Sequence, residues 1–319
     1  MDVGDVRKVA VIGAGTMGPG LAQVFAGAGY PVSLYSRSQA TLERAMSVTV
    51  ANLETFVRHG LLGADEATAA LARISPTRHL ARAGADASLV VETVAENMDV
   101  KRDVFHEIDE ACPDDAVFTS TTSYLDIYEA VPERRLPNTV IAHWFAPPHI
   151  IPLVEVVKGP RTSAETVELV VTLLEKLDRV PVVMEKFVPG FCVNRLLRII
   201  GREVFFLLDN GYMTAEQLDL AVKASIIPRA MVLGFVQRYD FTGLDLSLSN
   251  LQNAEFLEPP LDNSPRSLAE HVEKGEMGVK SGKGFFDYSG RDPREVLGAR
   301  DDALIDVFGR ARGHIHQRI

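Results

Sequence analysis

The chain opens with a short apolar run, Lys8-Val9-Ala10-Val11-Ile12, that ends in glycines. That is the pattern of a strand buried on both faces of a parallel sheet. Residues 16–28 then carry Met17, Leu21, Val24 and Phe25 at helical spacing, and residues 31–35 read as a second strand that Pro31 opens. Further strands are predicted over 88–94, 116–119, 138–142, 153–157 and 180–184, with helices over 100–111 and 164–177. Strands alternating with helices imply a doubly wound α/β domain. Residues 39–61 form an unusually long helical stretch, with Leu42, Ala45, Met46, Leu53 and Phe56 apolar, and residues 65–71 follow after Gly63. Both a helical hairpin projecting from the sheet and a crossover helix with a long insertion account for it. From Lys186 the apolar spacing turns helical, punctuated by Gly211, Pro228, Gly243 and Pro259-Pro260. A first domain over 1–186 and an all-helical second domain over 187–319 are therefore expected.

Composition agrees with two domains: 319 residues, of which 46% are hydrophobic, suffice for two cores. With 33 Lys and Arg against 43 Asp and Glu, the formal charge is −10. This lacks the basic footprint of a nucleic-acid binder. No apolar run is long enough for a bilayer, and the apolar stretch from Val9 to Val24 follows Asp2 and Asp5 and is broken by glycines, unlike a signal peptide. Only Cys112 and Cys192 occur, which points to a reducing, cytoplasmic setting. No metal site is expected.

Gly13-Ala14-Gly15-Thr16-Met17-Gly18 matches G-x-G-x-x-G between a predicted strand and a predicted helix. Gly13 suits the tight turn, Gly15 the approach of a pyrophosphate, and Gly18 close packing of helix on strand. Amides at the helix N-terminus then bind phosphate without basic side chains, with Thr16 and Met17 in the same turn. The expected first domain is thus a Rossmann-type dinucleotide-binding sheet. An NAD site usually carries Asp or Glu at the end of the second strand, where it accepts the ribose 2′-hydroxyl. Here Ser36-Arg37-Ser38 follows Tyr35, two hydroxyls and a guanidinium that suit a 2′-phosphate, so NADP is favoured over NAD. Arg37 stacked on adenine or turned to solvent is the alternative.

The chain resembles the L-3-hydroxyacyl-CoA dehydrogenases and their relatives acting on smaller hydroxy acids. The resemblance covers nearly the whole length. Besides the segment from Val9 to Gly18 it rests on Val90-Val91-Glu92 with Glu96-Asn97, on Ala142-His143-Trp144-Phe145 followed by Pro152-Leu153-Val154-Glu155-Val156, on Pro189-Gly190-Phe191-Cys192-Val193-Asn194-Arg195, and on the segment from Gly278 to Phe286. It implies oxidation of a 3-hydroxyacyl-type secondary alcohol, with His143 as general base and Glu155 as the carboxylate that orients it. Ser123 matches the hydroxyl that contacts the reacting oxygen, Asn194 the amide that completes the cluster, and Glu96 and Lys101 the contacts on the nicotinamide side. It also implies a homodimer formed through the helical domain. On the residues alone, Glu155 in an apolar run needs a partner, which favours pairing with His143. Cys192 reads as a small apolar filler, Trp144 as core, and His149 as a loop residue.

Departures from the family pattern bear on the substrate. Thr121 and Ala146 stand where the family usually has Asn. The helical stretch that usually supplies Ser and Lys to coenzyme A offers Asn52 and His59, with Arg44 and Arg58 as its nearby cations. Arg229, in a changed segment of the helical domain, suits either a substrate carboxylate or an exposed helix end. A small free hydroxy acid or a hydroxymethyl- or formyl-bearing aromatic acid is the alternative substrate class. A non-catalytic dinucleotide-binding sensor or structural protein is the alternative from a different class.

Overall fold

The computed structural model describes residues 3–317. Eight strands form one sheet: β1 (Val9–Ile12), β2 (Val32–Tyr35), β3 (Ile74–Thr77), β4 (Leu89–Glu92), β5 (Val117–Ser120), β6 (Thr139–Trp144), β7 (Leu153–Val157) and β8 (Val180–Met184). Their order is β3-β2-β1-β4-β5-β6-β7-β8, and every pair is parallel except β6 with β7. The chain runs outward from β1 to β3, then returns to β4 on the other side of β1. That reversal opens a crevice at the carboxyl ends of β1 and β4, where α/β sheets bind ligands. Alternation along the strands divides the core in two. Val9 and Val11 of β1 face one cluster with Leu89, Val91 and Val140, whereas Ala10 and Ile12 face the other with Val90, Phe118 and Ile141.

The expected strands are present, and the structure adds β3, which the pattern missed. Ile-Ser-Pro-Thr buries only Ile74, and Pro76 is tolerated because β3 is the sheet edge. Helix α1 (Gly18–Gly27) follows β1, and the long stretch forms α2 (Gln39–Arg58) and α3 (Ala64–Ala72). Ser38 caps α2 by accepting the Thr41 N–H. Leu42, Ala45, Thr49 and Leu53 bury one face of α2, and Thr49 bonds back to the Pro19 carbonyl in α1. One face of each helix is packed, with Ala70 the buried residue of α3, while the opposite faces and the connection over 59–61 are exposed. Helices α4 (Leu80–Gly84), α5 (Met98–Ala111) and α6 (Ala164–Lys176) complete the first compact unit, Met1–Arg195.

The second unit, Leu196–Ile319, is helical: most of α7 (Val193–Asp209), then α8 (Ala215–Ala221), α9 (Ile227–Thr242), α10 (Leu244–Leu251), α11 (Arg266–Glu273) and α12 (Pro293–Ala311). A π-helical turn over Val222–Ile226 joins α8 to α9, and Gly234 kinks α9 with a φ of 66°. Both core clusters lie in the first unit. Among the described residues of the second, Leu218 is the one large apolar side chain that is buried.

Candidate active site

The antiparallel register of β6 and β7 places His143 directly opposite Glu155. Side chains at opposed positions share one face of the sheet. His143 Nδ1 lies 2.8 Å from Glu155 Oε2, and both residues are buried, at 3% and 1% exposure. The other carboxylate oxygen, Oε1, accepts the backbone N–H groups of Cys192 and Val193, each at 2.9 Å. Glu155 thus keeps its charge away from water by filling its acceptor sites with fixed donors. On the far side of the ring, His143 Nε2 lies 3.1 Å from Ser123 Oγ. Phe145 and Phe191 flank the imidazole, with ring centroids 4.6 and 5.2 Å away. The result is a hydroxyl–imidazole–carboxylate chain drawn from three separate segments.

Ser123 is held from behind by Glu96. One oxygen of Glu96 accepts the Thr122 hydroxyl at 2.8 Å and the N–H groups of Ser123 and Tyr124 at 2.8 and 3.0 Å. Burial pushes the Glu96 carboxyl up, but these bonds and the Lys101 ammonium outweigh it and hold the group below the usual carboxylate range. Lys101 itself is 1% exposed and bonded to both oxygens of Glu92, at 2.8 and 2.9 Å, with Glu96 3.5 Å away. Its ammonium is committed to two carboxylates of the chain. Glu92, fully buried, also accepts the Val94 N–H and the Ser120 hydroxyl. Sequence reasoning gave Glu92 no role of its own. The available signal was a charge inside the apolar run Val90-Val91-Glu92, which demands a partner.

Asn194 stands in the first turn of α7, directly after the two N–H groups that hold Glu155. Cys192 is exposed and not the small apolar filler expected; its N–H is the group bonded to Glu155. Trp144 is core, at 4% exposure, and His149 sits buried in the turn after β6 with its ring 5.7 Å from Phe56.

The glycine-rich turn fits a dinucleotide. A Cβ on Gly13, whose φ is +125°, would lie 2.3 Å from the Thr93 carbonyl oxygen, and one on Gly18 would lie 2.2 Å from that of Gly13. Those two glycines let β1, β4 and α1 approach each other. Gly15 has nothing within 4 Å of that position, so its missing side chain leaves open space over the turn. Thr16 and Met17 lead into the first turn of α1. At the end of β2, the Ser36 hydroxyl accepts the Ser38 N–H. Arg37 is exposed, and among the described residues it has no acidic partner. Arg78 donates to its carbonyl at 3.3 Å.

Residues 8–187 match the 3-hydroxyacyl-CoA dehydrogenase NAD binding domain, and residues 190–288 match the 3-hydroxyacyl-CoA dehydrogenase C-terminal domain. The chain belongs to the 3-hydroxyacyl-CoA dehydrogenase family. It is an NAD(P)-dependent oxidoreductase of that family, with a Rossmann-type domain followed by a helical one. The 5-formyl-3-hydroxy-2-methylpyridine 4-carboxylate 5-dehydrogenase of Mesorhizobium japonicum is 34% identical over 95% of this chain and 97% of its own. The 3-hydroxybutyryl-CoA dehydrogenase of Clostridioides difficile is 33% identical over 88% of this chain and 99% of its own. Among solved structures, a 5-formyl-3-hydroxy-2-methylpyridine 4-carboxylic acid 5-dehydrogenase, described as an NAD+ dependent dismutase, superposes with a TM-score of 0.85 at 32% identity, covering 97% of this chain and 99% of that one. The (S)-3-hydroxybutyryl-CoA dehydrogenase from Ralstonia eutropha reaches 0.70 at 29% identity, covering 89% and 99%.

Proposed function

We propose that the protein oxidises a CH–OH group with His143 as the general base, a conclusion carried by the Ser123–His143–Glu155 chain. The nicotinamide, when bound, accepts the hydride. Ser123 Oγ positions the substrate hydroxyl and His143 Nε2 takes its proton. Glu155 accepts Nδ1–H, which leaves the Nε2 lone pair free and stabilises the imidazolium that forms. The N–H groups of Cys192 and Val193 hold that carboxylate in place, and Asn194 completes the polar cluster around the reacting oxygen. Glu96 and Lys101 fix the Ser123 segment beside the nicotinamide side of the site. In this assignment the dinucleotide is held within residues 1–186, and residues 187–319 carry substrate binding and dimerisation. Substitution of His143 by Gln lowers the rate by more than about tenfold, followed through NAD(P)H absorbance; a smaller loss overturns the base assignment.

The substrate proposed from the family is a 3-hydroxyacyl thioester. A second class, a small aromatic carboxylic acid bearing a hydroxymethyl or formyl group, has its own support. The arginines of α2 are tied within their own helix, Arg44 to Thr41 at 3.1 Å and Arg58 to Thr55 at 3.4 Å. With two arginines, no lysine, and Glu43 and Glu54 beside them, α2 offers a coenzyme A phosphate little net attraction. The relative with the TM-score of 0.85 is one whose name specifies a pyridine carboxylate. Titration with acetoacetyl-CoA and with aromatic hydroxymethyl acids decides between them, and turnover of neither favours a sensor. Ser36 and Arg37, which has no acidic partner among the described residues, support NADP over NAD, tested by NADPH and NADH fluorescence titration of Arg37→Ala; equal affinities before and after substitution refute it. The exposed Ile199, Val236, Leu251 and Leu261, at 62, 83, 80 and 83%, support a homodimer through the helical unit. Sedimentation as a monomer refutes that. Two cysteines in 319 residues, both free, support a cytoplasmic setting. Among the described residues, no helix is long and apolar enough to cross a membrane.

A further inference from the structure

Tyr124 follows Ser123 directly, yet nothing in the proton chain uses its ring. It is a large aromatic side chain 55% exposed in a unit whose other aromatic residues near His143 are packed against one another. Its position is nonetheless fixed from two sides. The Tyr124 N–H donates to Glu96 Oε1 at 3.0 Å, the same oxygen that holds the Ser123 N–H. Its ring lies over Gly190, where an added Cβ would come 3.4 Å from Tyr124 Cε1 and 3.4 Å from Arg195 Cγ. Gly190 has a φ of +80°, and its missing side chain lets the ring and the arginine stem share that surface. Ser123 on one side and Phe191, the residue after Gly190, on the other both contact the His143 ring. The exposed tyrosine is therefore tethered between two neighbours of the base. Arg195 is exposed and, among the described residues, pairs with no carboxylate.

We infer that Tyr124 and Arg195 form a subsite for a planar carboxylate-bearing ring, Tyr124 stacking on the ring and Arg195 pairing with the carboxylate. The inference rests on His143 acting as base, and it deepens the aromatic-acid reading of the same site. A flat π-face open to solvent, on a backbone tied to Glu96, offers a stacking surface with only two side-chain torsions to fix, which a flexible acyl chain uses poorly. A guanidinium that pairs with no carboxylate among the described residues is available to a ligand carboxylate in bidentate geometry. Nothing in this arrangement requires a nucleotide tail.

The test uses the full-length protein and two substrates, 5-formyl-3-hydroxy-2-methylpyridine 4-carboxylate and acetoacetyl-CoA, with Tyr124→Ala, Tyr124→Phe, Arg195→Gln and His143→Gln compared by steady-state kinetics and thermal unfolding. Stacking of this kind predicts that Tyr124→Ala raises KM for the pyridine acid about tenfold with kcat little changed, while Tyr124→Phe stays within about twofold. Arg195→Gln raises the same KM by about tenfold or more, and neither change moves KM for acetoacetyl-CoA more than about twofold. A Tyr124→Ala variant with an unaltered KM for the pyridine acid overturns the subsite, as does an equal rise for both substrates. If His143→Gln keeps full activity, it is the base assignment that fails, which the Tyr124 variants do not report. Should neither substrate turn over, calorimetric binding of the pyridine acid takes the place of KM: weaker binding to Tyr124→Ala supports the subsite, and equal or absent binding overturns it.

Discussion

Replacing Glu155 with Gln tests the proton chain while preserving almost every atom of it. The amide can sit in two orientations. With its oxygen toward Cys192 and Val193 it keeps both backbone bonds, now at 2.9 Å in the parent, and turns an NH2 group toward His143 Nδ1. The reverse orientation faces NH2 against two buried N–H donors, each costing about 1–3 kcal/mol if left unsatisfied. The first orientation therefore wins. It donates to Nδ1 and forces the ring proton onto Nε2, the atom 3.1 Å from Ser123 Oγ, so the base arrives already protonated. Where a carboxylate-to-amide change imposes the wrong tautomer on a catalytic histidine, the loss is about 10⁴-fold. At about 1.36 kcal/mol per tenfold this is roughly 5 kcal/mol of barrier. Stability changes much less, by about 1 kcal/mol, because the packing and both backbone bonds survive. The assay is kcat by NAD(P)H absorbance beside urea unfolding of the same preparation. A Glu155→Gln enzyme within about tenfold of the parent rate, with an unchanged unfolding midpoint, refutes tautomer control by Glu155.

Three further outcomes follow from the site. Gly18→Ala lowers the unfolding temperature sharply, since its Cβ falls 2.2 Å from the Gly13 oxygen, whereas Gly15→Ala leaves that temperature unchanged and weakens dinucleotide binding measured by fluorescence. Equal effects of the two on stability contradict the division of roles. Lys101→Met strands the fully buried Glu92 and costs about 3–5 kcal/mol in urea unfolding, and a loss under about 1 kcal/mol contradicts the pair's structural role. Glu96 is held below its ordinary value of 4.5, so its ionised form adds stability that is full above that pH and is lost as pH falls through the lower folded value. Glu96→Gln flattens that acid limb in pH-dependent thermal unfolding, and an identical limb in both proteins counts against it.

Much of the site was legible because it depends on local chemistry. Gly13 and Gly18 announce a phosphate turn through close approaches that only glycine permits, and Gly15 leaves the space over that turn open. Strands β1, β7 and β8 could be placed to within a residue because apolar runs bounded by turn residues have few alternatives. The edge strand β3 escaped because a strand paired on one side only needs neither continuous burial nor every N–H, so its residues, Pro76 among them, carry no strand pattern. Lys101 shows a different limit. The family resemblance implies a contact on the nicotinamide side, the fold bonds the ammonium to Glu92, and a sequence does not display which anions a lysine meets.

The periodicities, the phosphate turn and the residue types able to move a proton are all set by the order of amino acids. Their partners were chosen by the folding of the sheet. His143 and Glu155 meet because β7 runs antiparallel to β6 in a register that sets them opposite each other, and a slip of one residue would turn the carboxylate to the other face of the sheet. Ser123 reaches the same imidazole because Glu96 gathers three donors from residues 122–124 onto one oxygen. Such contacts join residues 12, 20 and 27 positions apart. They arise from strand order and direction, which long-range packing selects and no local pattern encodes.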